Sequence, residues 1–180
     1  MIDIHEILPK VWYIKLDKFE DARGSFTKTY TSHLYHQYLG EFEMREEFYT
    51  VSKKDVIRGM HFQLPPNDHK KVVFCAAGSA RDVILDLRQG KGYGRYVDIH
   101  LSGEEPGLLF IPKGIAHGFR ALEDNTNMVY KTSSAYVPES DKGILWNSFG
   151  YDWGSGMPVV SDRDQLHPSF EDFKTPFTKI

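Results

Sequence analysis

Short runs of β-branched and aromatic residues recur along this chain, each closed within a few residues by a turn signal. The runs are Val11–Lys15, Ser25–Tyr30, Glu47–Ser52, Val56–Gln63, Val72–Ala76, Ser79–Leu87, Tyr96–Leu101, Leu108–Ile111, His117–Leu122 and Asn127–Thr132. Between them fall Pro65-Pro66-Asn67-Asp68, Gln89-Gly90-Lys91-Gly92, Pro112-Lys113-Gly114 and Glu123-Asp124-Asn125. Turns at this spacing favour an antiparallel sandwich or barrel, because βαβ units need a longer helical pattern between strands. One helix is expected at Ser32–Leu39, with Ser32 or Thr31 as N-cap and Gly40 just past its end. From Pro138 the chain is aromatic and irregular, with Trp146, Phe149, Tyr151 and Trp153. That stretch is expected to fold back over the barrel. The pattern therefore predicts one all-β jelly-roll domain over residues 1–180, with one or two short peripheral helices.

At 180 residues the chain can bury a core without disulfides or metals. Its formal charge of −3 and pI near 6.2 argue against a nucleic-acid surface built on bulk positive charge, though not against a local basic patch for a diphosphate. A single cysteine, Cys75, sits in an apolar run, which excludes an intrachain disulfide and favours a buried, inert thiol. Met1–Glu6 has no basic region followed by an apolar stretch, and no apolar run approaches membrane-spanning length. The expectation is a cytoplasmic protein with neither nucleic acid nor membrane as partner.

Arg58-Gly59-Met60-His61-Phe62-Gln63 carries the densest chemistry. Period-two alternation puts Met60 and Phe62 on one strand face and His61 with Gln63 on the other. A lone strand histidine is often a satisfied structural residue. Arg58 and Lys71 close by change the weighing, since each demands solvent or an anionic partner. Lys71 alone reads as a strand-edge charge, and Tyr130 and Tyr136, six apart, as packing aromatics on one face. Asp164 alone reads as a surface loop acid. Together, a base, a cation and a phenol are the groups needed to move a proton beside a carbonyl.

Pro112-Lys113-Gly114-Ile115-Ala116-His117 resembles half of the metal-binding pattern of cupins. The other half needs a His-x-His pair, and here the strand offers His61-Phe62-Gln63. His69 is poorly placed to substitute from its loop. Two weak ligands fall short of the three that a catalytic site needs, so no metal is expected.

The ordered motifs Asp21-Ala22-Arg23-Gly24-Ser25-Phe26, Arg58–Gln63, Lys71-Val72-Val73 and Asp82–Arg88 resemble those of the dTDP-4-dehydrorhamnose 3,5-epimerase family. So do Ile111–Phe119, Tyr130-Lys131 with Tyr136, Trp146-Asn147 and Ser161-Asp162-Arg163-Asp164. The resemblance runs from about Val11 to Pro168. It implies a double-stranded β-helix of the cupin type, a homodimer, and no metal or other cofactor. It implies His61 as general base, Asp164 as the carboxylate that orients it, Tyr130 as proton donor and Lys71 as the cation near the keto oxygen. Arg23 and Arg58 match diphosphate contacts, with Arg23 reaching from the partner chain, and His117 matches a substrate-binding histidine. Tyr136 matches the aromatic stacked on the base; Phe19 and Phe26 assist from the other subunit.

Five positions at four matched sites depart from the family, all in substrate binding: Lys28 for Glu, Glu46 and Phe48 for a Gln-x-Asn pair, Asp141 for Glu, and Arg163 for Lys. Gln63 completes the set of expected substrate contacts. The implied activity is inversion of C3 and/or C5 of a nucleoside-diphosphate 4-keto-6-deoxyhexose, as in dTDP-rhamnose and lipopolysaccharide or polysaccharide biosynthesis. Rival readings are an epimerase acting at one centre on a CDP- or GDP-linked sugar, a 3,4-ketoisomerase, a non-catalytic sugar-nucleotide-binding cupin and a metal-dependent oxygenase. The complete His61/Lys71/Tyr130/Asp164 set speaks against the binding protein, and Gln63 against the oxygenase.

Overall fold

A computed structural model describes residues 3–179, so Met1, Ile2 and Ile180 lie outside it. The first sheet is built from β1 (Ile4–Leu8), β2 (Val11–Lys15), β5 (Glu46–Ser52), β7 (Lys71–Ala77), β10 (Gly107–Ile111) and β12 (Thr126–Thr132), in the order β1-β2-β10-β7-β12-β5. The second runs β13 (Asp141–Gly143), β6 (Val56–Gln63), β11 (Ile115–Ala121), β8 (Ser79–Asp86), β9 (Tyr96–Ser102), with β14 (Val159–Val160) parallel to β6. A separate hairpin joins β3 (Lys18–Asp21) to β4 (Gly24–Thr27).

Alternation along the strands divides the apolar residues among three layers. Val73, Cys75, Leu109 and Met128 of the first sheet meet Ile84, Leu101 and Phe119 of the second in the interior. The opposite faces are also covered, which is why several strands read as unbroken apolar runs. Val72, Phe74, Leu108 and Phe110 pack under α1 (Ser32–Leu39) through Tyr35 and Leu39. Val83, Leu85, Met60 and Phe62 pack under the chain after Pro138, through Ile144, Phe149, Trp153 and Phe177. The expected fold-back of the aromatic C-terminal stretch is thus present. Helix α1 has the expected bounds, with Thr31 at the N-cap; its side chain makes no capping bond, and Gly40 closes the helix at φ +63°. A second helix, α2 (Asp162–Gln165), is one turn long and capped by Ser161 Oγ, which accepts from Asp164 N–H. Cys75 is buried, and burial pushes its thiol up to about 11.

Strand β6 is irregular in a way its sequence pattern does not announce. His61 faces His117 and Arg58 faces Phe119, so three residues on β6 span two on β11. This bulge resets the alternation. Arg58 and His61, an odd number apart, consequently line the same cavity. Gly59 is required there: its φ is +141°, and a Cβ would lie 2.5 Å from Gly118 Cα.

Candidate active site

A cavity of about 580 Å³ opens between the sheets, with Arg58, His61, Lys71, His117 and Tyr130 in its walls. Strand β6 supplies His61, β7 supplies Lys71, β11 supplies His117 and β12 supplies Tyr130. Asp164 arrives on α2 and is 3 % exposed, so it is no surface acid. Its Oδ1 lies 2.6 Å from His61 Nε2, and its Oδ2 accepts the Gly59 N–H at 3.1 Å. With the Nε2 proton donated to Asp164, the lone pair of His61 is on Nδ1.

The surroundings set the protonation states. Burial lowers His61 below the ordinary imidazole range, and Lys71 and Arg163 add to the effect; the bond and charge of Asp164 only partly oppose it. The imidazole is therefore neutral near pH 7, as a base must be. Burial works to raise Asp164, but the imidazoles of His167 and His61 and the Gly59 amide overcome it and hold the carboxyl well below its usual range. Burial pushes the Tyr130 phenol well above its usual range, with Thr50 and Arg58 opposing, so the phenol keeps its proton. Lys71 is lowered to about 8 by burial against Asp141 and Asp82, and its ammonium donates to His61 O at 3.2 Å.

A second imidazole–carboxylate pair underlies the first. Buried His117 Nε2 is 2.7 Å from Oδ2 of fully buried Asp82, and its ring meets Tyr130 edge-on at 6.0 Å. Phe48 lies flat on Tyr130 at 4.9 Å and fixes the other side of the phenol ring. These are cross-strand neighbours on β5 and β12. Glu46, Tyr136, Asp141 and Arg163 complete the mouth; Glu46 accepts the Tyr136 N–H, and Arg163 is paired with Asp141.

Two expectations need correction. Tyr136 does not share a strand face with Tyr130, because β12 ends at Thr132; a loop brings it to the cavity instead. Gln63 also lines the cavity, but its amide is largely taken up internally. Its NH2 group, with two N–H bonds to give, lies within hydrogen-bond distance of Asn67 O, Ser134 Oγ, Ala135 O and His69 Nδ1, and its Oε1 accepts the Val137 N–H. It ties two loops together rather than offering a free end.

Arg23, Lys28, Phe19 and Phe26 lie outside this cavity. Phe19 and Phe26, 62 % and 60 % exposed, project from the β3–β4 hairpin, and Arg23 is paired with Asp21 of the same turn. Lys28 lines a separate groove with both phenylalanines. Sequence reading missed Asp82 as a partner of His117, and His167, whose Nε2 is 3.5 Å from Asp164 Oδ1. Nothing marked His167 beyond its chemistry and its place three residues after Asp164.

Among the described residues no helix is long and apolar enough to cross a membrane. The sequence profile described as dTDP-4-dehydrorhamnose 3,5-epimerase matches residues 5–172. The dTDP-4-dehydrorhamnose 3,5-epimerase of Salmonella typhimurium is 35 % identical over 173 residues, covering 93 % of this chain and 94 % of that protein. The fold superposes with a TM-score of 0.92 on dTDP-6-deoxy-D-glucose-3,5-epimerase from Legionella pneumophila Philadelphia 1 in complex with dTDP-4-keto-L-rhamnose. That protein is 28 % identical, with 100 % of both chains covered. It superposes at 0.90 on the 4-keto-6-deoxy sugar epimerase of the novobiocin cluster of Streptomyces spheroides, 29 % identical over 96 % of this chain and 89 % of that one. The cavity, the His61–Asp164 pair on its wall and these matches over nearly the whole length agree: the chain belongs to the dTDP-4-dehydrorhamnose 3,5-epimerase family.

Proposed function

We propose that this protein is an isomerase that inverts C3 and/or C5 of a nucleoside-diphosphate 4-keto-6-deoxyhexose, in the manner of dTDP-4-dehydro-6-deoxyglucose going to dTDP-4-dehydrorhamnose. The observation that carries the reading is the His61–Asp164 pair at 2.6 Å in one cavity with Lys71 and Tyr130. Both ring carbons are α to the ketone, so their protons become acidic once the enolate is stabilised. His61 Nδ1 removes the proton, and Asp164 stabilises the imidazolium that forms. Lys71 faces the charge that develops on O4, a contribution typically worth about 3–4 kcal/mol in the barrier. Tyr130 returns a proton to the opposite face and inverts the centre. The ketone is itself the electron sink, so the reaction needs neither a metal nor another cofactor.

Arg58 binds diphosphate, Tyr136 stacks on the base, and His117 with Glu46, Phe48, Gln63, Asp141 and Arg163 shapes the sugar pocket. Arg23, Phe19, Phe26 and Lys28 are not among the residues lining their own cavity, which supports a homodimer in which each hairpin serves the partner's site. Exposed Phe48, Tyr49 and Val51 on the edge strand β5 support the same assembly, since a free apolar edge invites a cover. The setting we assign is cytoplasmic synthesis of a deoxysugar for polysaccharide or lipopolysaccharide.

The test is a panel of 4-keto-6-deoxyhexoses on dTDP, CDP and GDP, read by deuterium uptake from solvent at C3 and C5. Uptake with inversion on one of them is expected; exchange at one centre alone identifies an epimerase of that centre. No uptake on any of them overturns the reading, and a relocated ketone by NMR replaces it with a ketoisomerase.

A further inference from the structure

His61, Asp164 and His167 bring two imidazole nitrogens and one carboxylate oxygen within 4.8 Å of one another. Asp164 Oδ1 is the hub, 2.6 Å from His61 Nε2 and 3.5 Å from His167 Nε2. The His167 ring is 11 % exposed, and its Nε2 is buried without a hydrogen-bond partner. It stands edge-on to His61 at 5.7 Å and fills the space over Gly143, where a Cβ would come within 2.4 Å of it. Gly143 is the β13 residue opposite His61, so the backbone itself holds both rings about one carboxylate.

From this geometry we infer that the three residues form an inhibitory site for a zinc-type divalent ion. Two nitrogens and one oxygen are the donor set of three-ligand zinc sites, and His61 and Asp164 both line the cavity. Magnesium, which prefers oxygen and keeps its water, is a poor match.

The consequence for catalysis follows from counting protons on one ring. Neutral His61 carries a single proton, on Nε2 while that atom faces Asp164. An ion binds Nε2 only in the other tautomer, with the ring's proton moved to Nδ1. No proton is released and no bond to carbon changes, yet the only basic lone pair of the ring is gone. Nearby Lys71 and Arg163 repel an added cation, so the site binds more weakly than a structural zinc centre.

The inference rests on the epimerase reading for its effect on turnover, but binding is measured without substrate. Titration of the metal-free protein with Zn2+ by calorimetry should give one site per chain, with Mg2+ giving none. Co2+ should show the intense visible bands of a four-coordinate ion. His167→Leu and His167→Gln should each weaken zinc by at least about tenfold, the lower end of what losing even an outer-shell partner costs. Zinc should inhibit turnover with the same affinity, measured against each variant's own metal-free rate. Absence of saturable binding, unchanged affinity in a folded His167 variant, a pale octahedral cobalt spectrum, or binding that leaves turnover untouched overturns the inference. Binding with no substrate ever turned over refutes the epimerase reading instead.

Discussion

Replacing Asp164 by Asn removes one charge and almost no volume, and the structure sets how much that costs. The carboxylate serves two donors at once: His61 Nε2–H at Oδ1 and Gly59 N–H at Oδ2. An amide has one acceptor oxygen. If that oxygen stays with the Gly59 amide, the NH2 group faces His61 Nε2, which must then accept. The ring proton moves to Nδ1 and the base is lost. If the oxygen turns to His61, two N–H donors collide at Gly59 in a buried site. Losing a charge-assisted bond costs about 1.5–3 kcal/mol, and a buried unsatisfied donor about 1–3 more. Together these give a drop of about 2.5–6 kcal/mol in transition-state stabilisation, roughly 70- to 25,000-fold in kcat. The equivalent exchange in a serine-protease triad, through the same wrong tautomer, falls at the upper end. Nucleotide binding by calorimetry should be unchanged. Because Asp164 opposes the lowering of His61, residual activity should have its acid limb at lower pH. A variant within tenfold of the parent rate, by deuterium wash-in under saturating substrate, refutes the assignment of Asp164 as the orienting group.

Tyr130→Phe leaves His61 intact, so solvent exchange should persist while inversion falls by roughly 100- to 10,000-fold; near-normal inversion, read by NMR of the product, moves the donor role to Tyr136 or water. Lys71, lowered to about 8, carries its charge below that pH and loses it above, so the rate should fall as pH rises through about 8. Lys71→Arg should be slower but lack that alkaline limb in its pH–rate profile; an unchanged limb assigns it to another group. Gly59→Ala should cost at least about 3 kcal/mol in chemical denaturation, since it combines a positive φ with a backbone clash and loosens the amide that holds Asp164. A folded, fully active Gly59→Ala protein contradicts the close approach to Gly118.

Most strands are legible in the chain because alternation and turn chemistry are local, and the runs Val56–Gln63 and Val11–Lys15 coincide with β6 and β2. The missed strands are short or polar. Ile-His-Glu-Ile-Leu at β1, Lys-Phe-Glu-Asp at β3, Asp-Lys-Gly at β13 and Val-Val at β14 form because a neighbouring strand offers bonds, which no local pattern encodes. The His61 face was correctly read from alternation, but Arg58 shares it only through the bulge at Gly59. His61, Lys71 and Tyr130 stand out by residue chemistry, but their individual roles, and any role for Asp164, come from the family resemblance. Alternation alone yields no reason to join His61 to a residue 103 positions away. His167 was missed because its meaning lies wholly in the carboxylate it faces.

The distance between the two halves of the dyad also imposes an order on biogenesis. A ribosome finishes His61 and the strands around it well before it adds Asp164, which is anchored only when β14 lies down along β6. Throughout that interval the nascent chain has an imidazole, and progressively the strands β7, β11 and β12 that wall the cavity, but no carboxylate to hold the ring in register. Full activity on a sugar nucleotide therefore waits for the segment that carries Asp164, however early the strand that holds His61 is made.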